Sequence, residues 1–160
     1  MNQAFVLLGS NMGDKKDHLD TAIHHIIANN CLLVNQSSVY KTAAWGNTEQ
    51  DDFFNQVVEI NTSLSAELLL KTLLEIETKM GRTRIQKWEP RIIDLDILFF
   101  NNAVINTADL KVPHPYLHVR RFTLLPLHEI APYFVHPVFN ENVHELLANC
   151  EDKSTVEIII

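Results

Sequence analysis

The chain opens on an almost unbroken apolar stretch, Gln3 to Leu8, which Gly9, Ser10, Asn11 and Gly13 bring to a stop. That pattern predicts a short buried strand leaving through a turn. Leu19, Ala22, Ile23, Ile26 and Ile27 then recur at helical spacing, predicting a helix from about Asp14 to Asn29 with one face on a sheet. The β-branched and aromatic run Cys31 to Lys41 predicts a second strand. A polar loop, Thr42 to Asp52, separates it from a third, Phe54 to Ile60. Ser65 suits a helix cap and Glu67 the first turn, Leu69, Leu73, Ile76 and Met80 form an apolar stripe, and Gly81 suits the helix end. After a mixed loop, Arg82 to Pro90, the segment Ile92 to Phe100 is too apolar for an edge and predicts a central strand.

Beyond it, Asn101 and Asn102 suit a tight turn, and prolines 113 and 115 keep Val112 to Tyr116 from regular helix. Phe122 to Ala131 and Val143 to Ala148 suit short helices. Up to Phe100 the order is β-α-β-β-α-β, which predicts an α+β, ferredoxin-like sandwich with helices over one face of a mainly antiparallel sheet. With 160 residues, 46% of them hydrophobic, four glycines, and no repeat or linker-like stretch, we expect one domain spanning 1–160. The net charge of −7 argues against nucleic acid and anionic membranes as partners. Two distant cysteines and the lack of a secretory or membrane-spanning pattern point to a cytoplasmic protein.

Charge distribution changes the picture more than charge total. All five arginines, at 82, 84, 91, 120 and 121, fall in one quarter of the chain, and the planar guanidinium fork matches phosphate oxygens. In the same region Asp94 and Asp96 flank Leu95. Strand side chains alternate, so the two carboxylates share a face while Leu95 and Ile97 take the other. Paired acids among Ile92, Ile93, Leu98 and Phe99 require compensation. A magnesium ion carrying substrate phosphates supplies it on one reading, and an ion pair with Arg91 on the other. No Walker-type glycine loop is present, so any phosphates would be held by side chains and metal. His114 and His118 have helical zinc spacing, but Pro115 breaks the helix this would need.

The run Lys87-Trp88-Glu89-Pro90-Arg91-Ile92-Ile93-Asp94-Leu95-Asp96-Ile97-Leu98 closely resembles that of the 6-hydroxymethyl-7,8-dihydropterin pyrophosphokinases. The likeness extends to Leu8-Gly9-Ser10-Asn11, Ser37-Ser38-Val39-Tyr40-Lys41-Thr42, Phe53-Phe54-Asn55, Gly81-Arg82-Thr83-Arg84, and Val112-Pro113-His114-Pro115 leading to Arg120-Arg121-Phe122. It implies transfer of the diphosphate of ATP to a pterin hydroxymethyl group, giving AMP. It further implies two Mg2+ ions on Asp94 and Asp96, with Arg82 and Arg91 on the transferring group. Arg84, Trp88, Ile97, His114 and Arg120 fall at nucleotide-binding positions. Asn55 falls where the pterin rim is read and Phe53 and Phe122 where its faces are sandwiched, with Thr42, Ala43 and Trp45 lining the same pocket. We expect a monomer acting on these small molecules. Glu89 stands where the family usually has glycine or alanine, Phe53 where some members have tyrosine, and the apolar tail Thr155 to Ile160 lies outside the resemblance; an added sheet edge or an intermolecular contact would suit it.

Overall fold

The elements follow as β1 (Asn2–Ser10), α1 (Lys15–Ile27), β2 (Cys31–Gln36), β3 (Tyr40–Thr42), β4 (Phe53–Thr62), α2 (Ala66–Lys79), β5 (Asp94–Phe100), β6 (Ile105–Asn106), β7 (Lys111–Val112), a 3-10 turn at Leu117–Val119, α3 (Arg121–Ile130), α4 (Val143–Ala148) and β8 (Val156–Ile158). The computed structural model describes residues 1–43, 51–81 and 91–160. β1 is buried from Ala4 to Ser10 and pairs antiparallel with β4 on one side and β5 on the other. The six-stranded sheet runs β5-β1-β4-β3-β8, with β2 also on β4. This is the ferredoxin-like α+β arrangement read from the sequence.

Each helix forms where its ends are satisfied and one stripe is apolar. Asp14 caps α1 by accepting from the Asp17 N–H, and Ser65 caps α2 by accepting from that of Leu68. Gly81, at φ +95°, ends the second helix in a conformation that other residues rarely adopt. Leu19, Ile23, Ile26, Leu69, Leu73 and Ile76 cover one sheet face, where they meet Ala4, Val6 and Leu8.

Three expectations are corrected. First, helices cover both faces: Leu124, Leu127, Val143 and Leu146 from α3 and α4 pack on Phe5, Leu7, Val57, Leu98 and Phe99 from the opposite side. Second, β5 is an edge strand. It is apolar because both its faces are covered, which says nothing about how many strands flank it. The register with β1 shifts between Phe5 and Val6, so Leu98 is inserted in the ladder and both Leu98 and Phe99 join the α3 side. Third, the run Cys31 to Lys41 is two strands. Ser37 leaves the ladder, its hydroxyl accepting from the Val57 N–H at 3.0 Å and donating to the Ser38 carbonyl at 2.7 Å.

The apolar tail adds the edge strand β8, pairing Val156 to Ile158 with Thr42 to Tyr40. No helix among the described residues is long and apolar enough to cross a membrane.

Candidate active site

β5 begins at the two acids, and its pairing with β1 orients them. Asp94 lies opposite Gly9 and Asp96 opposite Leu7, while Leu95 and Ile97 enter the core under α1 and α2. Leu7 belongs to the core under α3, so both carboxylates sit on the α3 side of the sheet, at its end and on its open edge. The alternation expected from the sequence holds.

Three cationic or basic groups converge on them. An Arg91 guanidinium nitrogen donates to Asp94 Oδ2 at 2.8 Å, with both side chains about one-fifth exposed. The backbone of Arg91 is itself clamped: its N–H donates to Asn11 Oδ1 at 2.7 Å, and its carbonyl accepts from the Asn11 N–H at 3.1 Å. Arg120, at the start of α3, faces both acids; burial lowers its basicity while Asp96 and Asp94 pull the other way. Its guanidinium lies 5.0 Å from the Tyr116 ring centre and 5.7 Å from that of Phe122. His114 is held neutral, at about 4, chiefly by burial and then by Arg120, against an opposing effect of Asp94. Its Nδ1 accepts from the Tyr116 N–H at 3.1 Å, which puts the imidazole proton on Nε2.

On the α3 face, the ladder brings together the residues expected to hold a flat heterocycle. Asn55 lies opposite Gly9 on one side and Tyr40 on the other, and Phe53 lies opposite Thr42. Asn55 is 4% exposed. A methyl group on Gly9 would meet Asn55 Oδ1 at 2.8 Å and the Phe53 ring at 3.9 Å, so only glycine leaves the amide room. The Thr42 hydroxyl faces the Thr155 carbonyl at 3.5 Å, and Ala43 is exposed just beyond β3. α3 is tied to this region through Glu129, which accepts from the Ser38 backbone and hydroxyl and from the Tyr40 hydroxyl at 2.6 Å.

On the open edge of β5, a cavity of about 230 Å³ is lined by Leu70, Asp96, Ile97, Leu110 and His114 among others. A groove of about 860 Å³ along α2 shares Leu70, Leu95, Asp96 and Leu110 with it. The structure thus joins Asp96, Ile97 and His114 around one cavity and sets Arg91 and Arg120 beside the acids. Arg82, Arg84, Trp88 and Trp45 lie outside the described residues. Sequence reasoning gave no role to Asn11, although it closed a run singled out for its resemblance. It also passed over Glu77, an acid on the buried side of α2 that is 2% exposed and accepts from the Leu95 N–H at 2.7 Å.

A mainly antiparallel α+β sandwich with paired acids, cations and a cavity at one sheet end suits a transferase that handles phosphoryl groups on a small molecule. The comparisons with known proteins give the particular kind. Residues 5–132 match the 7,8-dihydro-6-hydroxymethylpterin-pyrophosphokinase family. A 2-amino-4-hydroxy-6-hydroxymethyldihydropteridine pyrophosphokinase of Methylorubrum extorquens is 41% identical over 158 residues, 98% of each chain. One from Bacillus subtilis is 44% identical over 131 residues, 81% of this chain and 78% of that one. A crystal structure of Plasmodium falciparum HPPK-DHPS with pteroate superimposes with a TM-score of 0.75 at 18% identity; it is matched over 92% of this chain and 42% of its own. The chain belongs to the 7,8-dihydro-6-hydroxymethylpterin-pyrophosphokinase family, a pyrophosphokinase of folate biosynthesis with ATP and a pterin as small-molecule substrates.

Proposed function

We propose that Asp94 and Asp96 hold two Mg2+ ions against the phosphates of ATP, between a nucleotide site on the edge of β5 and a pterin site on the α3 face. The observation that carries this reading is the pair of carboxylates on one side of β5, bordered by Arg91, Arg120 and His114 and reached by the edge cavity. An all-oxygen donor set of two carboxylates with open space beside it suits Mg2+, which keeps its other positions for water and phosphate. Bound there, the ions would neutralise phosphate charge and make the pterin hydroxyl more acidic.

The chain's own groups do the positioning. Arg91, which pairs with Asp94 at 2.8 Å, would also reach the transferring group, and Arg82 is assigned to the same task. Arg120 and neutral His114, whose Nε2–H is a donor, hold the polyphosphate, with Arg84 and Trp88 assigned to the same nucleotide and Ile97 beside the base. Phe53 and Phe122 stack on the two pterin faces, each contact contributing about 0.5–1.5 kcal/mol beyond burial. Asn55 reads the pterin rim, and Thr42, Ala43 and Trp45 complete the pocket wall. Water excluded from this site strengthens every arginine contact. We further propose that residues 1–160 act as one domain, a monomer in the cytoplasm.

The test is product analysis. Incubated with ATP, Mg2+ and the hydroxymethyl dihydropterin, the protein should release AMP in step with pterin diphosphate, and omission of Mg2+ should stop both. Release of inorganic phosphate instead of AMP, or turnover indifferent to the metal, contradicts the reading.

A further inference from the structure

β5 carries the acids yet has no strand beyond it among the described residues. In an antiparallel ladder, the residues of an edge strand direct every second N–H and C=O away from the sheet. Here two contacts stand in for the missing neighbour. The His114 N–H donates to the Leu98 carbonyl at 3.0 Å, and Glu77 Oε2 accepts from the Leu95 N–H at 2.7 Å. The second contact falls on the residue between Asp94 and Asp96.

A carboxylate is a costly way to complete a ladder. Glu77 is 2% exposed and shares the buried side of α2 with Leu69, Leu73 and Ile76. Burying a carboxyl group is costly unless its partners return the cost. A leucine would extend the stripe but leave the Leu95 N–H without this acceptor. What the carboxyl group adds is an oxygen that accepts from that N–H at 2.7 Å. It comes from α2, which is itself anchored in the core, and it fixes the peptide joining Asp94 to Leu95.

We propose that Glu77 is a positioning residue for the metal site. By holding the Leu95 amide from outside the sheet, it sets the relative placement of the Asp94 and Asp96 carboxylates, without touching ATP or the pterin. This rests on the metal-holding role of the two acids. Misplacement of a catalytic group by about 1 Å costs on the order of a hundredfold in rate, so the control need only be small to matter.

Two substitutions separate the contact from the charge. Glu77→Gln keeps an oxygen that accepts from Leu95, whereas Glu77→Met fills the space and removes the acceptor. For Glu77→Met, the Mg2+ concentration for half-maximal turnover should rise about tenfold or more and kcat fall by about 10- to 100-fold, with pterin KM unchanged. Hydrogen exchange at the Leu95 amide should quicken in the same variant. Glu77→Gln should stay within about threefold of the native protein in Mg2+ dependence and keep that amide protected. A folded Glu77→Met with native Mg2+ dependence overturns the proposal, as does a Glu77→Gln that loses it while Leu95 stays protected. If Glu77→Met does not fold, Glu77→Ala, which also lacks the acceptor, takes its place with the same expected and overturning results. Asp96→Ala run alongside distinguishes the two levels: if it keeps native turnover, the metal reading itself is wrong. If it is inactive while Glu77→Met is normal, only the role of Glu77 falls.

Discussion

Gly9→Ala tests the pterin pocket without removing any group expected to touch substrate. Gly9 lies near the end of β1, pairing with both Asp94 and Asn55, and its backbone is not in the left-handed region, so alanine is conformationally acceptable. Its methyl carbon would sit 2.8 Å from Asn55 Oδ1, about 0.6 Å short of the ordinary contact limit of 3.4 Å. Asn55 is buried, so its amide must move or rotate away from the position proposed to read the pterin rim. A hydrogen bond lost from a buried polar group costs about 1–3 kcal/mol. That corresponds to roughly 5- to 150-fold in the pterin dissociation constant. Calorimetry with and without a non-transferable ATP analogue should show this loss for pterin and almost none for the nucleotide. In an Asn55→Ala background the methyl group meets no amide, so the effect of Gly9→Ala should largely vanish, giving strong non-additivity in the double-mutant cycle. A pterin constant within twofold of native, or fully additive effects, would show that the Gly9 methyl does not act through Asn55.

Asn55→Ala alone should weaken pterin by a similar factor and leave ATP binding unchanged; equal losses for both ligands contradict its assignment to the pterin rim. Asp96→Ala should lower turnover by more than a hundredfold while the melting temperature stays near native, and activity within about tenfold of native sinks its metal role. His114, with its folded pKa near 4 below an ordinary 6.5, makes stability depend on acidity in a definite direction. Between pH 6.5 and 4 the unfolded imidazole takes up a proton that the folded one does not. Stability is therefore full above about pH 6.5 and falls by up to about 3 kcal/mol as pH drops through that window. Urea denaturation at pH 7 and pH 5 should show the native protein losing more than His114→Gln; parallel losses contradict it.

The part of the fold carried by local periodicity and capping could be read from the chain alone. α2 starts after Ser65 and ends at Gly81 because one side chain and one backbone freedom settle its ends, and both are visible as residue types. The shared face of Asp94 and Asp96 follows from strand alternation, which needs no tertiary information. What failed depended on the neighbours. The apolarity of β5 reports covered faces, which in sequence looks the same as a central place in the ladder. The helices α3 and α4, short and distant in sequence, supply that second cover. The break at Ser37 depends on a hydroxyl finding the Val57 amide across the sheet. Glu77 looked like one more polar position on an amphipathic helix. Only the packing of α2 against β5 turns it toward Leu95.

The paired acids of β5 are proposed to gather divalent metal against a polyphosphate. Crystals grown with Mn2+ and a non-transferable ATP analogue would reveal this, because manganese scatters anomalously and takes the same oxygen ligands. Two anomalous peaks are expected within about 2.0–2.3 Å of Asp94 and Asp96 carboxylate oxygens, both touching phosphate, and they should be lost in Asp96→Asn. Peaks elsewhere on the nucleotide, with Asp94 still paired to Arg91, would contradict it.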